Sequence, residues 1–187
     1  MLSPPNVVTA ERRRRFEELY AAHKVPLLGY TLRRTDNTDD AADALAETFL
    51  TAWRRLDQIP PGPQARLWLY GTARRVLANQ RRGERRRLAL ADRLKAELAV
   101  SYRPQEQAGE LADIAVALRK IPESDRELLA LSAWEGLDAG QIATVLGCSR
   151  NAARIRLHRA RRRFAAELSQ CAAAPARYTN ATNGVHP

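Results

Sequence analysis

Six side chains between residues 150 and 159 could read duplex DNA if one helix carried them: Arg150, Asn151, Arg154, Ile155, His158 and Arg159. Arginine grips phosphate or reads guanine through two hydrogen bonds, asparagine pairs with adenine, and an isoleucine can touch a thymine methyl. At about 100° per residue, Asn151, Ile155, His158 and Arg162 share one face, flanked by Arg150, Arg154, Arg159 and Arg161. Ala153, Leu157, Ala160 and Phe164 fall on the opposite stripe, which suits packing. A solvated basic face is the alternative, and the preceding residues weigh against it. Pro122 suits a first helical position, and Gly136 suits the left-handed residue after a helix end. Asp138 with Gln141 resembles a capping box opening a short helix that ends near Leu146. Residues 147–149 make a tight turn, with Ser149 as N-cap of the basic helix. This order is a helix-turn-helix, whose second helix enters the major groove.

A second stretch offers different chemistry. RLWLYGTARRVLANQRRGERRR, from Arg66, carries Trp68 and Tyr70 and then seven arginines against the single carboxylate of Glu84. Aromatics beside arginines suit single-stranded nucleic acid, since bases stack while cations track phosphates. Core packing is the alternative for Trp68. The segment LDQIPPGPQ before it holds three prolines and a glycine, which stiffen a loop.

A third stretch is acidic within a basic chain. Asp36, Asp39, Asp40, Asp43 and Glu47 occur with no intervening cation. Thr38 suits an N-cap, and the aspartates after it favour the positive end of the helix dipole. Leu45, Phe49, Ala52, Trp53 and Leu56 share a core-facing stripe. Asp43, Glu47 and Leu50 lie on the other side, as a solvated face or a protein contact. The apolar Leu50 among carboxylates favours contact.

The elements that must position these residues are all helical. No strand-like alternation occurs in the 187 residues, so the expected fold is all-α. Two small helical domains are expected, at residues 10–87 and 110–169, joined by a linker at 88–109 that could start as a helix but is marked as a linker by Pro104 and Gly109. Residues 1–9 and 170–187 are expected to be disordered. Net charge is +10 and the pI is near 10.5, which favours an anionic partner. No apolar run could span a membrane, so no membrane insertion is expected. Cys148 and Cys171 offer neither a disulfide framework nor metal spacing, and His23, His158 and His186 are scattered. No cofactor or metal site is expected, and no catalytic group, so the chain does not read as an enzyme.

In this order FEELYAAH, DDAADALAETFLTAWRRL, ARLWLYGTARR and RELLALSAWEGLDAGQIATVLGCSRNAARIRLHRARRR resemble a bacterial extracytoplasmic-function (ECF) sigma factor over residues 11–168. The resemblance implies a cytoplasmic RNA polymerase subunit that binds core polymerase at its clamp and flap. Region two would melt and read the promoter's −10 element, and region four would read the −35 element. It also implies an anti-sigma protein as partner.

Carried over residue by residue, the resemblance places core-polymerase binding at Asp39, Asp43, Glu47 and Leu50, and Phe49 matches the clamp-binding stretch. The family's glutamine before that glutamate is Ala46 here. A loop over residues 59–66 would capture a flipped base, and −10 contacts would come from Ile59, Gln64, Arg66, Arg74, Arg75, Asn79 and Arg82. Arg75 stands where an asparagine is common, and Asn79 where an aspartate is. The −35 contacts would come from Ser149, Arg150, Asn151, Arg154, Ile155, His158 and Arg159. Asn151-Ala152 replaces a usual Gly-Thr, and Ile155 a usual serine. A stand-alone helix-turn-helix regulator would explain residues 122–164 but leaves 39–87 without a role. A nuclease would need a second metal-binding segment to accompany the acidic helix.

Overall fold

The computed structural model describes residues 5–94 and 110–173. These form seven helices: α1 (Pro5–Leu32), α2 (Thr38–Arg54), α3 (Pro63–Leu94), α4 (Glu110–Lys120), α5 (Glu123–Ala133), α6 (Ala139–Leu146) and α7 (Arg150–Ala173). A 3₁₀ turn, Leu56–Gln58, follows α2. Among the described residues there is no strand, as the all-α reading requires. They divide into two compact units. In the first, α1, α2 and α3 pack on one another; in the second, α7 packs on α4 and α5.

The core of the first unit combines two groups of aromatic rings with aliphatic side chains. Phe16 meets Phe49 and Trp53 edge-on at 6.2 and 5.2 Å, and Tyr20 lies 4.7 Å from Phe49. Tyr30 and Tyr70, both fully buried, sit 5.1 Å apart between α1 and α3. Leu27, Leu56, Leu69 and Leu77 complete it. Three threonines are buried without stranding their hydroxyls, because each donates to a carbonyl of its own helix: Thr31 to Leu28, Thr48 to Ala44 and Thr72 to Trp68. In the second unit Ala117, Ile121, Leu128, Leu131, Ala153, Leu157 and Ala160 are buried.

Element boundaries depart from the expected ones in five places. Helix α1 already begins at Pro5, inside the stretch expected to be disordered; proline lacks only an N–H that a first helical residue does not use. Helix α3 runs through Leu94, seven residues into the expected linker, since LALADRL contains good helix formers and no breaker. Helix α7 continues to Ala173, four residues past the expected end, on Gln-Cys-Ala-Ala. Asn37, not Thr38, caps α2: its Oδ1 accepts the Asp40 N–H at 2.7 Å while its Nδ2 donates to the Asp40 carboxylate. Pro122 is likewise the cap residue, and Glu123 opens α5. The remaining linker, 95–109, and the tail, 174–187, lie outside the described residues.

The caps of the helix-turn-helix match the sequence reading. The Asp138 carboxylate accepts from the N–H groups of Gly140 and Gln141 at 2.6 and 2.9 Å, and the Gln141 side chain accepts from the Asp138 N–H at 3.0 Å. These bonds, the Gln141 N–H first, hold the Asp138 carboxyl below its ordinary pKa, with Arg150 adding in the same direction. Ser149 Oγ accepts from Ala152 N–H at 3.2 Å. Gly136 and Gly147 both take φ of 65°, the left-handed conformation each turn requires.

Candidate nucleic-acid and protein interfaces

On α2 the buried residues are Ala41, Ala44, Thr48, Phe49 and Ala52. At 100° per residue this leaves Asp39, Asp43, Glu47 and Leu50 within about 80° of one another on the outward side. All four are exposed, and Leu50 is 41 % accessible despite being apolar. The structure therefore brings the four expected polymerase-contact residues onto one face. Phe49, part of the same matching stretch, is not on it: only 4 % exposed, it belongs to the core.

On α3 the expected −10 residues separate. Gln64, Arg75, Asn79 and Arg82 fall within about 60° on one exposed face. Arg82 donates to the Asn79 side chain, and Arg75 to the Thr72 hydroxyl at 3.2 Å. Arg74 is exposed on the flank. Arg66 points to the opposite side, with its guanidinium 5.3 Å from the Tyr70 ring centre and 3.5 Å from its hydroxyl. His23 lies within its field; burial first and Arg66 second push that imidazole below its ordinary pKa. Ile59, expected to touch DNA, is 3 % exposed, because an apolar side chain at the foot of the loop is better placed in the core. Tyr70 is also unavailable for stacking on bases, being 1 % exposed against Tyr30. Trp68 is half-buried. The side chains of Arg85, Arg86 and Arg87 lie outside the described residues.

On α7 the expected division holds. Ala153, Leu157 and Ala160 are buried and Phe164 is half-buried. Ser149, Arg150, Asn151, Arg154, Ile155, His158 and Arg159 are all exposed. Arg154 donates to Asn151 Oδ1 at 3.1 Å, so the two side chains present one joint polar edge. The arginine run that follows divides its labour. Arg161 donates to Ser132 Oγ at 3.0 Å, and Arg163 pairs with Asp125 at 2.6 Å, fixing α7 to α5. Arg126 of α5 donates to the carbonyls of Leu118, Arg119 and Ile121, which otherwise end α4 unsatisfied.

These structural arginines were missed in the sequence, where they look like the exposed arginines beside them. The structure supplies the reason: Asp125, in the first turn of α5, is only 7 % exposed and needs a cation. Arg163→Ala should therefore lower stability by about 2 kcal/mol, since it strands a buried carboxylate. Thermal melting checks this, and Arg162→Ala, exposed and outside this pairing, should leave melting unchanged.

An acidic exposed face on α2, an arginine-lined α3 and a helix-turn-helix over α6 and α7 are the features with which the family comparisons agree. Residues 19–87 match the family model of sigma-70 region 2, and residues 111–164 that of sigma-70, region 4. The chain is 30% identical over 142 residues to the ECF RNA polymerase sigma factor EcfG of Rhodopseudomonas palustris, covering 76% of this chain and 78% of that one. It is 31% identical over 155 residues to the ECF RNA polymerase sigma factor SigL of Mycobacterium tuberculosis, covering 81% and 88%. The structure of CnrH in complex with the cytosolic domain of CnrY is similar with a TM-score of 0.61 and 28% identity, over 88% of this chain and 96% of that one. The chain belongs to the family of ECF RNA polymerase sigma factors. As such it directs transcription initiation by RNA polymerase.

Proposed function

We propose that the first unit docks on core polymerase through Asp39, Asp43, Glu47 and Leu50, and holds melted −10 DNA along Gln64, Arg74, Arg75, Asn79 and Arg82. The second unit reads the −35 element from Ser149, Arg150, Asn151, Arg154, Ile155, His158 and Arg159, and touches the polymerase flap. The working domains are residues 10–87 and 110–169, joined by a linker at 88–109 into whose start α3 continues. The chain performs no catalysis itself and acts in the cytoplasm; among the described residues no helix is long and apolar enough to cross a membrane. An anti-sigma protein binds it when it is idle. CnrH, 28% identical, is held in complex with the cytosolic domain of CnrY, which supports a protein partner of that kind.

The observation that carries this reading is the pairing, in one chain of net charge +10, of an outward acidic and apolar face on α2 with an exposed arginine face on α3. The acidic face repels DNA and suits a basic protein surface; the arginine face does the reverse. Replacing Arg74 and Arg75 together by alanine should reduce open-complex formation more than it reduces binding to a −35 duplex. Equal losses in the two assays would mean that these arginines add only general electrostatic attraction.

A further inference from the structure

Helix α1 has no role in the reading above, yet its first turns are tied to the loop that leads into α3. Arg12 donates Nη1 to the Asp57 carboxylate at 2.6 Å and Nη2 to the Trp53 carbonyl at 2.7 Å, with its guanidinium 5.3 Å from the Trp53 ring centre. One turn later, Arg15 donates Nη2 to the Ile59 carbonyl at 2.7 Å. The partners are 41 to 45 residues away in sequence.

The loop is chemically suited to being held this way. Residues 59–63 read Ile-Pro-Pro-Gly-Pro, and prolines carry no N–H, so this backbone can be fastened mainly through its carbonyls. Its own fastenings are few. Ile59 N–H donates to the Leu56 carbonyl at 3.2 Å, and Ala65 N–H to the Gly62 carbonyl at 3.1 Å. Ile59 is buried and pins the near end, whereas Pro61, Gly62, Pro63 and Gln64 are exposed. A charged donor on a carbonyl makes a stronger bond than a neutral one. A loop that must present a fixed shape to an extruded base loses less entropy when it is already held in that shape.

We propose that Arg12 and Arg15 are positioning residues for −10 recognition: they lock the entry of the 59–63 loop so that its exposed tip and Gln64 meet the displaced strand in one geometry. The inference rests on the reading that this loop faces the −10 element. Neither arginine need touch DNA. Their substitution therefore acts on base selection and opening rate, and leaves binding to polymerase and to the −35 element intact.

The test uses the full chain assembled with core polymerase and a promoter carrying a fluorescent base analogue in its −10 element. Arg15→Ala and the Arg12→Ala, Arg15→Ala pair should slow opening by about fivefold to tenfold, what one net hydrogen bond is typically worth. They should also flatten discrimination among −10 variants. Arg15→Lys, which keeps a charged donor, should recover most of the loss. Gln64→Ala serves as the control on the loop itself. If Gln64→Ala alters −10 discrimination and the arginine variants do not, the positioning role is overturned and the loop reading stands. If Gln64→Ala also changes nothing, the loop reading fails with it. If the arginine variants lose core binding, −35 binding and thermal stability in parallel, their role is general stability and the proposal is overturned.

Discussion

Glu47→Lys should weaken binding to core polymerase by about tenfold or more, because it sets a cation against a partner surface that must be basic to receive this face. The neighbours on that face are Asp39, Asp43 and Leu50, all exposed, so the variant has no buried partner to lose and should melt as the parent does. The loss should shrink as salt is raised, since exposed charges are screened beyond about 8 Å at physiological ionic strength. Leu50→Ala should add a smaller, salt-independent loss from the apolar contact. Fluorescence titration of labelled chain with core polymerase measures both. Unchanged affinity for the reversed variant would place the polymerase contact on another helix.

Arg154→Ala should alter which −35 sequences are bound, at about 1–3 kcal/mol for the position it reads. Arg154 stands one turn into α7, exposed and hydrogen-bonded to Asn151, so its loss also frees the asparagine to reorient. Arg162 lies two further turns along on an exposed face. Its replacement should weaken all sequences alike and lower the salt slope by about one. Selection of bound duplexes from a random pool with each variant distinguishes them. An unchanged consensus for Arg154→Ala, with only a general loss, would make that arginine a phosphate contact.

What the sequence made legible was local. Asp138 with Gln141, Ser149, Gly136 and Gly147 are caps and turns whose partners lie within a few residues, and each sits in the structure as the pattern implies. The stripe of Ala153, Leu157 and Ala160 was likewise visible as a period, and its burial fixes which side of α7 is free. What escaped was long-range. Arg12, Arg15, Arg126, Arg161 and Arg163 look like any surface arginine until the fold brings Trp53, Ile59, Ile121, Ser132 and Asp125 to them. Ile59 carries a −10 role by resemblance and Tyr70 sits among arginines in a way that suits base stacking, but both are drawn into the core by apolar burial, which composition alone does not reveal. Arg66 shares a −10 role with Arg74 and Arg75 only by resemblance, and helical phase carries it to the other side of α3. Helix ends were the least legible feature, because LALADRL after Arg87 and the alanines after Cys171 extend a helix without any stop signal.

As a sigma factor this chain should confer promoter selectivity on a polymerase that lacks it. Core RNA polymerase should be mixed with the purified chain and a library of promoter fragments, with no activator, and the run-off transcripts sequenced. Transcripts should start a fixed distance downstream of shared −10 and −35 elements, the −35 element should shift with Arg154→Ala, and transcription should fall with Glu47→Lys. Sequence-specific DNA binding by the chain alone, with no transcript above that of core polymerase, would contradict the sigma-factor role and leave a helix-turn-helix regulator.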